Sequence, residues 1–169
     1  MESEAINMAI SLTKGQKINL SKADGSQLTN ILIGLGWKEV QASGGLFGMF
    51  KQKVDVDIDA SVLMLDAGGK IPSPEEVIFF NHKDHATGCI HHCGDNLVGG
   101  KMGGMDDSEQ IQVDLTKVPQ GIERIVFVVN IYDCVKRKQH FGMVENAYIR
   151  IVDQGSQETI ASYNLTEDY

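Results

Sequence analysis

Apolar and polar residues alternate along several short stretches of this chain. In Ile111-Gln112-Val113-Asp114-Leu115-Thr116 the period is two. Successive side chains of a strand point to opposite faces, so this pattern predicts a half-buried strand. Val54-Asp55-Val56-Asp57-Ile58-Asp59-Ala60-Ser61 repeats the pattern with aspartate in the polar places. A strand here puts Asp55, Asp57 and Asp59 on one face and Val54, Val56 and Ile58 on the other, and apolar residues carry it on to Leu65. Residues 122–132 contain Ile125-Val126-Phe127-Val128-Val129, a run too short for a typical helix and rich in β-branched side chains, which predicts a buried strand.

The same reading predicts strands at 17–20, 28–37, 77–80, 89–93, 144–152 and 158–165. Gly34 and Gly36 interrupt the apolar 28–37 segment and predict a bulge or a close backbone approach. Asp66-Ala67-Gly68-Gly69-Lys70 is a turn signal, and 94–104 is a glycine-rich loop. The weakly patterned 38–53 loop carries Leu46, Phe47, Met49 and Phe50, which either cap the core or form an apolar flap. About ten short strands separated by turns predict an all-β fold, a β-sandwich of two sheets. Residues 1–7 read as a flexible leader, with the domain beginning at Met8.

Composition narrows the function. A chain of 169 residues with 42% hydrophobic content fits one domain with a real core. Asp and Glu number 23 against 15 Lys and Arg, a net charge of −8. Nucleic acid needs a basic footprint, so this balance argues against it as a partner. Cys89, Cys93 and Cys134 are an odd number and make no disulfide framework. No apolar run reaches the length of a membrane span, and the acidic start is unlike a signal peptide. These features predict a cytoplasmic protein with reduced thiols.

Three aspartates in one row repel one another, by about 4 kcal/mol per pair at 4 Å and an effective dielectric near 20. A divalent cation would reverse that. Calcium takes six to eight hard oxygen ligands. The chain offers Asp55, Asp57 and Asp59, then Asp95 and Asn96, then Asp106, Asp107 and Glu109, and finally Asp133 beyond the 122–132 strand. That is enough oxygen for one or two calcium ions; the plain alternative is a solvated acidic face. Ala60 at the position that requires glycine, and the flanking strands, argue against an EF-hand. His82, His85, Cys89, His91, His92 and Cys93 form a competing constellation. A strand over 89–93 puts Cys89, His91 and Cys93 on one face, suited to zinc, copper(I) or a tellurium species. Gly99-Gly100-Lys101-Met102 lacks the Ser or Thr of a phosphate loop. There is no Gly-x-Ser-x-Gly elbow, and no catalytic residues are assigned; a hydrolase working through the acidic cleft is the weakest rival. Lys136-Arg137-Lys138 is a solvated basic loop or a docking point for an acidic partner.

Several motifs together resemble one family. They are Ile10-Ser11-Leu12-x-Lys14-Gly15, Gly34-Leu35-Gly36-Trp37, Asp57-Ile58-Asp59-Ala60-Ser61, Phe79-Phe80-Asn81, His92-x-Gly94-Asp95-Asn96, Glu109-Gln110-Ile111-x-Val113-Asp114-Leu115 and Phe141-Gly142-x-Val144-x-Asn146-Ala147. In order and spacing, from Met8 to Tyr169, they resemble TerD-like tellurium-resistance and stress-response proteins. The resemblance implies a calcium-binding β-sandwich of the bacterial cytoplasm that is not an enzyme. It implies association with tellurite resistance and other stresses, and calcium-dependent assembly with other stress-response proteins or signalling near the membrane surface. It places the calcium sites on Asp57, Asp59, Asp95, Asn96, Asp107, Glu109 and Asp133. Ser108 stands where the family usually has a second aspartate, and Met105 with its glycine neighbours replaces part of the acidic loop. The family usually continues past Tyr169 with more strand, which leads to an expectation of self-association through an exposed sheet edge.

Overall fold

The computed structural model describes residues 10–20, 27–39, 56–95 and 107–166. Nine strands occur among them: β1 Ile10–Ser11, β2 Asn30–Glu39, β3 Ile58–Asp66, β4 Val77–Ile78, β5 Ile90–Asp95, β6 Glu109–Asp114, β7 Ile122–Ile131, β8 Val144–Asp153 and β9 Glu158–Asn164. They form two sheets. The larger runs β1-β9-β8-β2-β6-β5 and the smaller β4-β3-β7. The all-β, two-sheet expectation is met.

The period-two reading holds in detail on β3. Val56, Ile58, Ala60, Val62 and Met64 are buried, whereas Asp57, Asp59, Ser61, Leu63 and Leu65 are only partly so. The inward set packs in one core with Ile31, Ile33 and Leu35 of β2, Ile90 of β5 and Ile111 and Val113 of β6. Burying such a side chain stabilises the fold by about 1.5–3 kcal/mol. β7 lies antiparallel to β3 from Ile58↔Ile131 to Asp66↔Ile122. It turns Phe127, Val129 and Ile131 toward the core.

Several expectations change. The 122–132 strand, expected to be buried, is β7 at the edge of the small sheet, with Glu123, Arg124, Val128 and Asn130 exposed. The 77–80 strand is only Val77–Ile78, and Phe80 is exposed. Residues 17–20 form no strand; two alternating apolar residues offer too little to bury. The 111–116 alternation is cut at Asp114, whose carboxylate accepts the Thr116 N–H at 3.0 Å and turns the chain into a short 3₁₀ segment, Leu115–Lys117. The polar connection after β7 contains one helical turn, α1, over Cys134–Arg137. The leader at 1–7 and the 46–50 apolar segment lie outside the described residues.

β2 explains its glycines. Residues 31–36 are buried on both faces. A Cβ on Gly34 would sit 2.5 Å from the Asp107 carboxyl, and one on Gly36 would sit 2.5 Å from the Tyr148 ring. The register with β8 also shifts between Gly36 and Lys38. The sequence signal therefore marks close approach and a bulge together.

Candidate functional site

The acidic end of β3 lies against the end of β7. Asp59 is opposite Asn130, and the Tyr132 N–H donates to the Asp57 carbonyl at 2.8 Å. Asp57 and Asp59 leave the same, outward face of the chain and are partly exposed. Asp133 follows Tyr132 in a left-handed conformation (φ 50°) and is exposed, with Lys136 at 3.6 Å from its carboxylate. Asp57, Asp59 and Asp133 thus belong to one corner of the small sheet. Among the described residues, no group of three or more His, Cys, Asp or Glu side chains is close enough to hold a metal ion. Asp55, Asn96 and Asp106 lie outside the described residues, and of Asp95 only the backbone, at the end of β5, is described.

Asp107 is in a different environment. Its carboxylate receives Arg150 through Nε (2.9 Å) and Nη2 (2.8 Å), Tyr148 Oη (3.0 Å) and Gln110 Nε2 (3.0 Å). Each carboxylate oxygen accepts two of these bonds. Both charged side chains are fully buried. The site rests on the outer side of β2, where Gly34 faces Arg150 on one neighbour and Gln110 on the other. Paired burial makes the charges tolerable, and bidentate geometry fixes the guanidinium plane.

Glu109 points into the sandwich. Its Oε2 accepts the Ala60 N–H at 2.6 Å, and its Oε1 lies 3.3 Å from His92 Nε2. His92 Nε2 also lies 3.1 Å from the Ala60 carbonyl, while its Nδ1 accepts the Gly94 N–H at 3.0 Å. A proton on Nε2 satisfies all of these contacts at once. His92 and Glu109 are 0% and 2% exposed, so the latch sits inside the core. It grips both sides of Ala60, next to Asp59, and so ties β3 to β5 and β6 across the two sheets.

The Cys/His constellation does not assemble. Cys89 is buried with its thiol 4.0 Å from the Met64 sulfur. His91 is exposed and hydrogen-bonded to Asp84. Cys93 is half-buried, and His92 points inward as its strand position requires. The single-face expectation for Cys89, His91 and Cys93 fails because Cys89 precedes β5 and turns into the core. Burial raises both thiol pKa values; Asp84 adds to the effect at Cys93, and Glu76 and Asp114 add to it at Cys89. At neutral pH these two thiols should alkylate with iodoacetamide more slowly than a free cysteine, and faster as the pH climbs. Free-cysteine rates at both sites, read by mass spectrometry, would contradict this.

A family model, the TerD domain, matches residues 8–169. The chain belongs to the TerD family. It is 48% identical over 164 residues to Stress response protein SCP2 of Bacillus subtilis, covering 96% of this chain and 80% of that protein. It is 41% identical to General stress protein 16U of the same organism, covering 96% and 78%. It is 39% identical to Tellurium resistance protein TerD of an Alcaligenes species, covering 95% and 77%. The crystal structure of a TerD homologue from Streptomyces coelicolor superposes with a TM-score of 0.57 at 15% identity, covering 80% of this chain and 70% of that one. That likeness concerns the fold.

In this TerD domain the buried residues were the least visible from sequence. Arg150 lies in β8 beside Ile149 and Ile151 and reads as an ordinary surface position. The one signal for it was Gly34, a glycine in a strand otherwise built to be buried. The strand pattern sets His92 opposite its cysteine neighbours, but nothing local in the sequence links it to Glu109.

Proposed function

We propose that this TerD domain is a non-enzymatic, calcium-binding stress-response module of the cytoplasm, associated with tellurite resistance. The observation that carries the reading is the outward projection of Asp57 and Asp59 at the corner where β7 delivers Asp133. The donors are hard carboxylates, which suits calcium and not zinc. Among the described residues no three such side chains already stand at ligand distance, so in this reading calcium draws Asp57, Asp59 and Asp133 together with donors from Asp55, Asp95, Asn96 and Asp106. In this reading Asp107 and Glu109 anchor the strands that carry the donors. Calcium would replace carboxylate repulsion with attraction and make the corner rigid. The names of the relatives, a stress response protein and a tellurium resistance protein, support the stress-response and tellurium-resistance part.

Thermal melts of chelator-stripped protein test this. Calcium should raise the melting temperature, adding about 2.7 kcal/mol at a hundredfold excess over the dissociation constant. Asp57→Asn/Asp59→Asn should abolish the shift without lowering the metal-free melting point. A zinc shift without a calcium shift would contradict the reading.

A further inference from the structure

Among the described residues β7 is the long open edge. In the order β4-β3-β7 it has a neighbour on one side only. The other edges are short or covered. β1 and β4 have two residues each. The outer side of β5 is taken by residues 83–85: the His92 N–H donates to the Lys83 carbonyl at 2.8 Å, and the His85 N–H to the Ile90 carbonyl at 3.0 Å. On β7, the bond from the Tyr132 N–H to the Asp57 carbonyl sets the step of the ladder with β3. In an antiparallel pair, alternate residues turn both backbone groups to the same neighbour. Asn130, Val128 and Val126 therefore face β3, and the N–H and C=O groups of Ile125, Phe127 and Val129 point off the edge. Ala60, opposite Val129, agrees, since its N–H goes to Glu109 and its carbonyl meets His92. No proline, glycine or charge interrupts 125–131 to blunt this edge.

Beside the edge the core is half covered. β4 touches β5, and the Glu109–His92 latch holds β3 over β5 and β6. In the order β4-β3-β7, β7 then lies on the β2 side, and β8, β9 and β1 run on beyond it. Burial follows this overhang. The core-facing Ile149 and Ile151 of β8 and Ile160 of β9 are half-buried, whereas Arg150 and Val152, on the other face of β8, are buried. Ile125, Phe127 and Val129 of β7 are half-buried too, while the inward residues of β3 are buried. Sheets in a sandwich pack about 10 Å apart, so a strand added to β7 would stand over this apolar shelf.

We infer that the β7 edge accepts an extended strand of another polypeptide, with apolar side chains at alternate positions. Its backbone pairs with Ile125, Phe127 and Val129, and its apolar side chains rest on Ile149, Ile151 and Ile160. Strand addition takes affinity from the first contact and selectivity from the second. A second copy of this chain fits poorly. Antiparallel pairing of β7 with itself puts both large sheets on the same side of the joined small sheets, where each overhang enters the space of the other. Two chains of net charge −8 also repel. The pairing needs no metal.

The probe is a fluorescent synthetic peptide of alternating valine and threonine, with lysine at each end for solubility, added to the full chain. Fluorescence anisotropy should rise to saturation. Amide hydrogen exchange should slow at Ile125, Phe127 and Val129 and stay unchanged at Val126, Val128 and Asn130. A matched peptide N-methylated at its valines loses the donors that face β7 and should bind about tenfold or more weakly. A peptide with threonine for every valine loses the shelf contact and should weaken by a similar factor of about ten. No saturation at millimolar peptide, or saturation without slower exchange at the three amides, overturns the inference. Equal binding of the N-methylated peptide overturns the pairing, and equal binding of the all-threonine peptide overturns the shelf. Slow exchange at the three amides before peptide is added also overturns it: a dimer by light scattering would give the edge to a second copy, and a monomer would give it to the chain itself.

Discussion

Asp107→Ala is expected to destabilise the domain by about 3–5 kcal/mol. Arg150 is 0% exposed and donates to both Asp107 oxygens in a bidentate pair. Removing the carboxylate takes from the buried guanidinium the acceptor of its Nε and Nη2 hydrogen bonds and the charge opposite them. Tyr148 and Gln110 lose an acceptor at the same time. Most of the penalty is that of an uncompensated buried charge, not the net worth of the pair. Asp107→Leu combined with Arg150→Met should therefore recover much of the loss, because it removes both charges and keeps apolar volume. Gly34→Ala should act through the same site, since its new Cβ would meet the carboxyl at 2.5 Å. Urea unfolding of the four proteins measures this. A loss below about 1 kcal/mol for Asp107→Ala would show that the pair is not held in this buried geometry.

Glu109→Ala is expected to rank next, at about 2–4 kcal/mol, combining an unsatisfied buried N–H with a lost core side chain. The Ala60 N–H would lose the Glu109 Oε2 acceptor, and His92 Nε2 would lose its contact with Glu109 Oε1 while keeping the one with the Ala60 carbonyl. Glu109→Gln should cost less. Its carbonyl oxygen can still accept the Ala60 N–H. Its amide, however, would present hydrogens to His92 Nε2, whose proton cannot simply move to Nδ1, because Nδ1 already accepts from Gly94. The two variants together separate a hydrogen-bonded latch from simple filling of space. Hydrogen exchange at the Ala60 amide should accelerate sharply in Glu109→Ala and modestly in Glu109→Gln. Equal protection in all three proteins would contradict the latch.

The latch also bears on the acidic corner, because Ala60 follows Asp59 directly. Slack at Ala60 reaches the Asp59 side chain through one peptide bond, whereas the Asp107–Arg150 pair lies on the outer side of β2, on the other sheet. Loss of the latch should therefore weaken calcium binding more than loss of the ion pair does at equal loss of stability.

Much of the fold was legible because it rests on patterns of short range. The alternation at 56–64 gave β3 with its faces correct, and the β-branched run at 125–129 gave β7. What was not legible depends on partners distant in the chain. Asp107 and Glu109 sit in an acidic stretch that reads as a source of calcium ligands. Arg150, 43 residues on from Asp107, and Ala60, 49 residues before Glu109, turn both carboxylates inward. Local pattern cannot show that, since a carboxylate is buried only where a specific donor waits for it. The Cys89–Cys93 stretch failed for a smaller reason: the strand starts one residue later than Cys89, at Ile90, and Cys89 packs into the core.

The central claim is a calcium site at the β3–β7 corner, and a calorimetric calcium titration of chelator-stripped protein tests it most directly. The account predicts a saturable isotherm for one or two ions in the wild type. It predicts the loss of that isotherm in Asp57→Asn/Asp59→Asn, with magnesium failing to compete at equal concentration. A flat calcium titration of the folded wild-type chain, or a double variant that binds as the wild type does, would contradict it.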